Sequence, residues 1–424
     1  MSTYPQTKLP LSEPIDFLLA DVAIRIQLTA THHALAVKRY ETVNAWIERD
    51  GSPLKDRVTV FYPQGSMAIG ATVASKLEYD EFDIDLIAQI DLPADTPPHR
   101  MLSVLEQAIR GEPDSRYYDM VERCTRCIQI QYSDDMHLDV TPMVRLPDLA
   151  ERSGYIFHAP ERAASNDDRK IIANPWGFAE WFKALTPPDH GFSAAFQKRS
   201  DEYGRAHVRA KAADVDDVPE HCEAHEKSMA VIALQLLKRF RNVRYDQREG
   251  RCPPSIVLAK FVAENANQTT SLSDELLHQA QQMKLAFAGA QQAGRLVEVR
   301  NPTCDSDVFT DRWPANLQEQ GVFVADLTLL VSKLETLRGE VNLAEMQDIL
   351  TGLFGEKPTM EAVKAFNESN GRVMVDGSSR HVPGSGRFEL PAKSAAAAAS
   401  DVAVTATASH ATPKHTHFGG SQDP

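Results

Sequence analysis

The chain has 424 residues, of which 42% are hydrophobic and 25% charged, and 45 Lys and Arg against 59 Asp and Glu give a net charge of −14. This composition excludes collagen, coiled coils and wholesale disorder, and the length predicts two domains or two large lobes. The acidic balance repels a polyanion, so long nucleic acid is an unfavourable substrate, whereas a small anionic ligand that carries its own metal is compatible.

The N-terminal part of the sequence predicts an α+β arrangement. Apolar residues at helical spacing predict one long helix, with a kink allowed, from about Ile15 to Arg49. Gly, Ser and Pro end it at 51–53. Further predicted elements, up to about residue 144, are a strand at 58–62, a turn and helix after Gly65, a strand at 82–90, a helix at 98–110, and strands at 121–132 and 136–144.

The second half of the sequence predicts mainly helices. The clearest apolar stripe runs from Met229 to Phe240, and the basic run Lys238 to Arg244 beside it is interpreted as a solvated helix face, with a partner or nucleotide surface as the alternative. We therefore predict a catalytic core at 1–150 and a helical lobe at 151–375 that closes a cleft. The small and polar residues of 390–424 predict a disordered tail.

Membrane and export signals are missing from this sequence. No stretch approaches the ~18 uninterrupted apolar residues that a membrane helix needs. The first residues also lack the basic and then apolar order of a secretion signal. The expected location is the cytoplasm, without a membrane partner.

Five cysteines form an odd and sparse set, which predicts reduced thiols rather than a disulfide framework. Cys124 and Cys127 form a C-x-x-C inside the predicted strand 121–132. Side chains three positions apart on one strand point to opposite faces, which disfavours a redox or zinc role for this pair.

A second group of potential metal ligands is denser. His221, Cys222 and His225 could complete four zinc ligands with Cys252. Their spacing matches no established zinc pattern, so we favour solvated imidazoles at the start of a helix.

A Gly-Ser turn and three carboxylates carry the strongest chemical signal. The predicted strand ending at Tyr62 leads into Pro-Gln-Gly65-Ser66, where backbone N–H groups and a hydroxyl are suited to binding a phosphate. Asp83 and Asp85 follow on a strand, where residues two apart share a face, so the two carboxylates predict a site for a hard cation.

The third carboxylate, Asp139, lies on a later predicted strand whose apolar neighbours point the other way. Paired carboxylates that bridge two metals ~3.5 to 4 Å apart can activate an attacking hydroxyl and hold a nucleotide triphosphate for in-line displacement. The pattern therefore predicts nucleotidyl transfer.

With these motifs the chain resembles the DNA polymerase β type of nucleotidyltransferase, and within it the cGAS/DncV-like enzymes, or CD-NTases, which make cyclic oligonucleotides in bacterial anti-phage (CBASS) signalling. The resemblance rests on three sequence motifs and one lysine. The motifs are P-Q-G-S-x-x-x-G at 63–70, A-N-P-W-G-F-A-E-W-F at 173–182 and P-P-S-I-V-L at 253–258, and the lysine is Lys227 at the start of a long predicted helix. The resemblance spans about residues 15 to 350. The spacing from Ser66 to Asp83 exceeds the compact superfamily pattern, which favours the cGAS-like branch, where longer insertions occur.

The resemblance implies a polymerase β-like core, joined by the N-terminal helix to a helical C-terminal lobe. It assigns Gly65 and Ser66 to the donor triphosphate. It assigns Asp83 and Asp85 to two Mg²⁺ ions, with Mn²⁺ as an alternative, and Asp139 to one metal and the attacking hydroxyl. By position, Lys227 and Ser255 match residues that contact the triphosphate.

The function implied is condensation of nucleoside triphosphates, at least one of them ATP, into a cyclic di- or trinucleotide, with release of pyrophosphate. Regulatory partners of the HORMA-like or ubiquitin-transfer-like kind are implied as well. Two other functions stay open: transfer of AMP to a protein or tRNA end, and a catalytically silent nucleotide-binding regulator.

Overall fold

The structure is a computed structural model that describes residues 11–74, 82–211, 227–267 and 271–375, together with three short strands further on. The chain forms two compact units, Met1–Thr359 and Met360–Pro424. No helix in the described ranges is long and apolar enough to cross a membrane.

The N-terminal segment forms two helices, α1 (Pro14–Ile26) and α2 (Ala30–Ile47), so the prediction of one long helix is wrong. Helix α1 ends at Ile26 because the next residue, Gln27, adopts an extended conformation and forms an isolated antiparallel bridge with Val73. Thr29 then begins α2 by accepting a hydrogen bond from the His32 backbone N–H, which is the usual role of an N-cap threonine.

A seven-stranded sheet follows. Its strands are β1 (Val58–Pro63), β2 (Phe82–Ile90), β3 (Val121–Arg123), β4 (Ile128–Gln131), β5 (Met136–Arg145), β6 (Gly154–His158) and β7 (Arg169–Ala173). The order β1-β2-β5-β4-β3 runs across the sheet, β6 pairs with β5 and β7, and β2 and β5 are parallel. Two of these strands, β6 and β7, lie beyond residue 147, in the part of the chain that was predicted to be mainly helical.

The main core lies on one face of this sheet. Residues Ile84, Leu86 and Ala88 of β2 are fully buried there. They pack against α2 and α4 (Pro98–Arg110), whose apolar faces belong to the same buried cluster. Because strand side chains alternate, the odd-numbered residues of β2 point to the other face.

The segment 121–132 is a hairpin rather than one strand. Strands β3 and β4 pair antiparallel, and the Cys124 N–H donates to the Cys127 carbonyl at 2.9 Å across the turn between them. The predicted placement of the two cysteines on opposite faces is therefore wrong. Thr125 and Arg126 form this turn without the glycine, asparagine or proline that would have marked it in the sequence.

The rest of the first unit is largely helical. Its helices are α3 (Gly65–Ala68), α5 (Pro175–Leu185), α6 (His190–Lys211), α7 (Met229–Tyr245), α8 (Ser255–Glu264), α9 (Leu272–Gln292), α10 (Leu317–Leu337) and α11 (Leu343–Phe354), and a two-stranded sheet joins β8 (Arg300–Asn301) to β9 (Cys304–Val308). The apolar stripe predicted on α7 is confirmed. The basic run is not a solvated face, because Lys238, Arg239 and Arg241 are all buried.

The last described elements are α12 (Glu356–Val375), β10 (Arg380–Val382), β11 (Arg387–Glu389) and β12 (His410–Ala411), the three strands forming one small sheet. The predicted disordered tail, 390–424, lies outside the described residues except for β12. The predicted division at residue 150 stays a prediction, as does solvation of His221, Cys222 and His225, which also lie outside the described residues.

Candidate active site

Three carboxylates lie on the sheet face opposite the main core. Asp85 on β2 is directly opposite Asp139 on β5, and Asp83 lies two residues from Asp85 on the same strand. Ile84 between them is fully buried. The predicted shared face of Asp83 and Asp85 is confirmed, and the parallel pairing of β2 with β5 brings Asp139 to the same face.

The three carboxylates repel one another. Burial raises the pKa of Asp85 to about 7, and the negative charges of Asp139 and Asp83 add to this rise. Burial also raises the pKa of Asp139, although the hydrogen bond from Gln129 and the nearby Cys127 thiol act in the opposite direction. A bound cation would therefore stabilise the ionised form of these carboxylates.

The Gly65-Ser66 turn packs directly against this cluster. Gly65 has a positive φ of 56°, and a Cβ added there would lie 2.6 Å from Oδ2 of Asp85. The Gln64 backbone N–H donates to the Asp85 carbonyl at 2.8 Å. Only glycine therefore fits at position 65 without moving a carboxylate, and the turn lies next to the position where a metal-bound phosphate would be held.

Ser66 is the second residue of the short helix α3, and both its carbonyl and its hydroxyl bind the loop that follows. Its carbonyl accepts from the Ala71 N–H at 2.8 Å, and its hydroxyl accepts from the Thr72 hydroxyl at 3.3 Å. The hydroxyl keeps its own proton for another acceptor.

Three side chains on one face of α7 bind the backbone that follows this turn. Lys238 donates to the Ala71 carbonyl at 2.8 Å, Gln235 to the Thr72 carbonyl at 3.1 Å, and Asn242 to the Ala74 carbonyl at 3.3 Å. Positions 235, 238 and 242 are three and four residues apart, as a single helix face requires. Helix α7 therefore fixes the Gly-Ser loop relative to the sheet.

Lys238 is the functional candidate that the sequence did not reveal. Burial lowers its pKa to about 7, the positive charge of Arg241 adds to this fall, and the negative charges of Asp85 and Asp83 oppose it. Its place in a basic run indicated a solvated surface, and only its long-range partners distinguish it from its neighbours.

The structure does not join Lys227 and Ser255 to the carboxylates. Lys227 donates to the Gln27 side chain at 2.5 Å, at the break between α1 and α2, and burial lowers its pKa to about 8. The Ser255 hydroxyl, at the start of α8, accepts from Arg241 at 2.9 Å. Their assignment to a triphosphate stays a prediction.

The oxygen-only donor set of the carboxylate cluster suits magnesium, which prefers carboxylates and phosphate oxygens. Across the residues that the structure describes, however, no three Asp, Glu, His or Cys side chains converge closely enough to hold a metal ion. The three carboxylates therefore suit Mg²⁺ by the type of their ligand atoms and by their position on one face of the sheet. A bound triphosphate would have to supply further oxygens.

Comparison with known proteins supports the interpretation of this site. Residues 17–185 match the family described as the Second Messenger Oligonucleotide or Dinucleotide Synthetase (SMODS) domain. The cyclic dinucleotide synthase CdnG of Bradyrhizobium diazoefficiens is 38% identical over 417 residues, which cover 97% of this chain and 98% of that protein. The chain belongs to the CD-NTase family.

Three further comparisons agree with this assignment, the last of them for the fold alone. A c-di-GMP synthase of Roseivirga ehrenbergii is 24% identical, covering 83% of this CD-NTase and 87% of the relative. The structure of the Bradyrhizobium CdnG in complex with GTP superposes with a TM-score of 0.73 at 40% identity, over 84% of this chain and all of that one. CdnC of E. coli MS115-1, solved with ATP, has the same fold at 15% identity, with a TM-score of 0.54 over 81% of this chain and 98% of that one.

Proposed function

We propose that this CD-NTase condenses nucleoside triphosphates into a short cyclic oligonucleotide, most simply a cyclic dinucleotide, and releases pyrophosphate at each bond. The observation that carries the proposal is the set of carboxylates Asp83, Asp85 and Asp139 on one sheet face against the Gly65-Ser66 turn, in a chain similar over almost its full length to a cyclic dinucleotide synthase.

Each residue of the site has a separate task in this proposal. Asp83 and Asp85 hold Mg²⁺, with Mn²⁺ as an alternative, and Asp139 lies beside the acceptor hydroxyl. When bound, the metal ions neutralise the donor triphosphate and favour ionisation of the acceptor hydroxyl. Gly65 allows the backbone to approach the phosphates, and Ser66 offers its hydroxyl to them.

Lys238 is better placed than Lys227 to act on the triphosphate. The charges of Asp85 and Asp83 reach Lys238, whereas burial is the only influence found on the pKa of Lys227. We therefore add Lys238 to the donor site and assign Lys227 and Ser255 to its outer part. The ammonium group of Lys238 can offset phosphate charge while it still donates to the Ala71 carbonyl, because a lysine has three donor hydrogens.

The substrates proposed here are GTP and ATP. The relatives named for c-di-GMP synthesis and for a GTP complex favour at least one guanine, whereas the adenine implied by the sequence resemblance is a separate prediction. The proposal also places the reaction in the anti-phage signalling of this family, in the cytoplasm. A HORMA-like or ubiquitin-transfer-like partner stays a prediction of the resemblance.

The test is incubation of the purified protein with Mg²⁺ and α-labelled GTP, ATP or both, followed by phosphatase treatment and chromatography. We expect a phosphatase-resistant product. A ring that contains both bases should form only when both nucleotides are present, whereas a ring with one base should form from a single nucleotide. The control is Asp83→Asn/Asp85→Asn, which should make none while remaining folded. Ladders that stay phosphatase-sensitive, or label on protein or tRNA, would reject cyclisation in favour of the alternative transferase.

A further inference from the structure

Cys124 and Cys127 face each other across the tight turn between β3 and β4. The last paired residues of the two strands are Arg123 and Ile128, and the Cys124 N–H donates to the Cys127 carbonyl at 2.9 Å. Directly opposed residues of an antiparallel pair lie ~4.5 to 5.5 Å apart between their Cα atoms. Disulfides span ~4.4 to 6.8 Å between Cα atoms, so the backbone already has the separation that a disulfide needs.

The same turn borders the carboxylate face. Ile128 and Ile130 of β4 are buried in the main core, so Cys127 and Gln129 point to the opposite face. Gln129 is paired with Asp139 on β5, and its side chain donates to Oδ1 of Asp139 at 2.9 Å. The Cys127 thiol lies near the same carboxylate and acts to lower its pKa.

The turn is held in place, yet neither of its cysteines is fully buried. The Thr125 carbonyl accepts from the Ala159 N–H at 3.0 Å, and Arg126 donates to Nδ1 of His158 at 3.2 Å. Cys124 and Cys127 are both free and partly exposed thiols. The neighbouring Cys127 side chain lowers the pKa of the Cys124 thiol, in keeping with Cys124 as the attacking sulfur.

We propose that Cys124 and Cys127 form a site of reversible oxidation, at which a low-molecular-weight disulfide converts the two thiols into one intrachain disulfide beside Asp139. The Cys124 thiolate attacks one sulfur of the reagent, forms a mixed disulfide and expels one thiolate. Cys127 then gives up its proton, attacks the Cys124 sulfur and expels the second thiolate. In all, the protein loses two protons and two electrons, equal in mass to two hydrogen atoms, and the two expelled thiolates take up the protons to become two thiols.

Oxidation removes the thiol hydrogen of Cys127 and turns its sulfur toward Cys124, so Asp139 loses the thiol beside it and keeps the hydrogen bond from Gln129. That the change alters catalysis rests on the proposed function, in which Asp139 lies beside the acceptor hydroxyl. Since the surroundings of Asp139 change while the strands stay paired, we expect a threefold to thirtyfold fall in kcat that a dithiol reductant reverses.

The experiment treats the full chain with oxidised glutathione and follows intact mass and synthesis rate in parallel. The expected result is a loss of two hydrogen atoms per chain, located by peptide mapping to Cys124 and Cys127, together with the fall in rate. A protein with Cys222, Cys252 and Cys304 replaced by Ser should respond in the same way. Cys124→Ser, compared with its own untreated rate, should not respond.

Two results would overturn the proposal. One is a stable mixed disulfide, or no reaction, at Cys124 and Cys127 in the folded protein. The other is complete formation of the intrachain disulfide with an unchanged rate of synthesis. The mass measurement decides whether the disulfide forms even if the reduced protein makes no cyclic product, so failure of the proposed function is distinguished from failure of the modification.

Discussion

Asp85 is half-buried and lies beside two other carboxylates, so its negative charge is costly in the folded state. Its pKa rises to about 7 from an ordinary value of 3.8. Between these two pH values the folded protein binds a proton that the unfolded chain has released. This group therefore makes the free energy of unfolding fall as the pH rises from about 4 to about 7.

The first prediction concerns Asp85→Asn in metal-free buffer. The variant should match the wild type in stability near pH 4 and exceed it above pH 7, by on the order of 2–4 kcal/mol, because each unit of pKa shift corresponds to ~1.4 kcal/mol. Urea unfolding at a series of pH values measures the difference, and Asp95→Asn at an exposed position is the control. A difference that does not vary with pH would contradict the placement of Asp85.

Alanine substitutions at Gly65 and Gly70 distinguish the effect of backbone conformation from the effect of contact between an added methyl group and its neighbours. Both have positive φ, 56° and 66°, but an added Cβ meets Oδ2 of Asp85 only at position 65 and meets nothing within 4 Å at position 70. Alanine at either position should cost ~1–2 kcal/mol of stability because of the left-handed backbone.

Only Gly65→Ala should abolish catalysis, because its methyl group displaces a carboxylate of the site. We expect a loss of more than roughly 100-fold in kcat/KM, about 2.7 kcal/mol of transition-state stabilisation, against less than tenfold for Gly70→Ala. Steady-state kinetics with thermal melts of both variants provides the measurement. Equal losses in the two variants would show that strain in the turn, rather than contact with Asp85, controls activity.

At the scale of elements, α7 connects the helical part of the first unit to the Gly-Ser loop. Its donors Gln235 and Lys238 hold adjacent carbonyls, of Thr72 and Ala71, but only Lys238 brings a charge. The two residues therefore offer matched substitutions, one that removes a hydrogen bond and one that removes a hydrogen bond and a cation.

Lys238→Met should raise KM for the donor nucleotide and lower kcat/KM by roughly 30-fold or more, about 2 kcal/mol. Gln235→Met should also lower kcat/KM, but by a factor several times smaller than Lys238→Met does, since it affects only the position of the loop. The comparison requires initial rates over a range of nucleotide and Mg²⁺ concentrations. If the two substitutions give the same kinetics, Lys238 serves to position the backbone and does not act on the triphosphate.

Local patterns in the sequence were sufficient for some elements and insufficient for others. The alternation around Ile84 predicts the shared face of Asp83 and Asp85, because strand periodicity is a property of consecutive residues. The break at Gln27 depends on a bridge to Val73, and the burial of Lys238 depends on the Ala71 carbonyl. Such partners lie far away in the chain, so no local pattern shows them.

For the molecule as a whole, one carboxylate site must serve every bond of the product. Asp83, Asp85 and Asp139 can act on one attack at a time, so we expect a linear intermediate that keeps its 5′-triphosphate, turns round and presents its free hydroxyl to its own α-phosphate. Ring closure then benefits from a high effective concentration, which keeps the product short. A linear intermediate should accumulate transiently when nucleotide is limiting.

The last prediction concerns the tail. All residues proposed for catalysis lie within the first compact unit, Met1–Thr359, and the sequence after Leu390 is rich in Ala, Ser and Thr, which offer little apolar area for packing. A protein truncated after Leu390 should therefore synthesise its product within a few-fold of the full-length rate. Initial rates of the two proteins at equal concentration measure the effect, with melting temperature as the control for folding. A loss of more than roughly tenfold, about 1.4 kcal/mol of barrier, would show that residues after 390 contribute to catalysis.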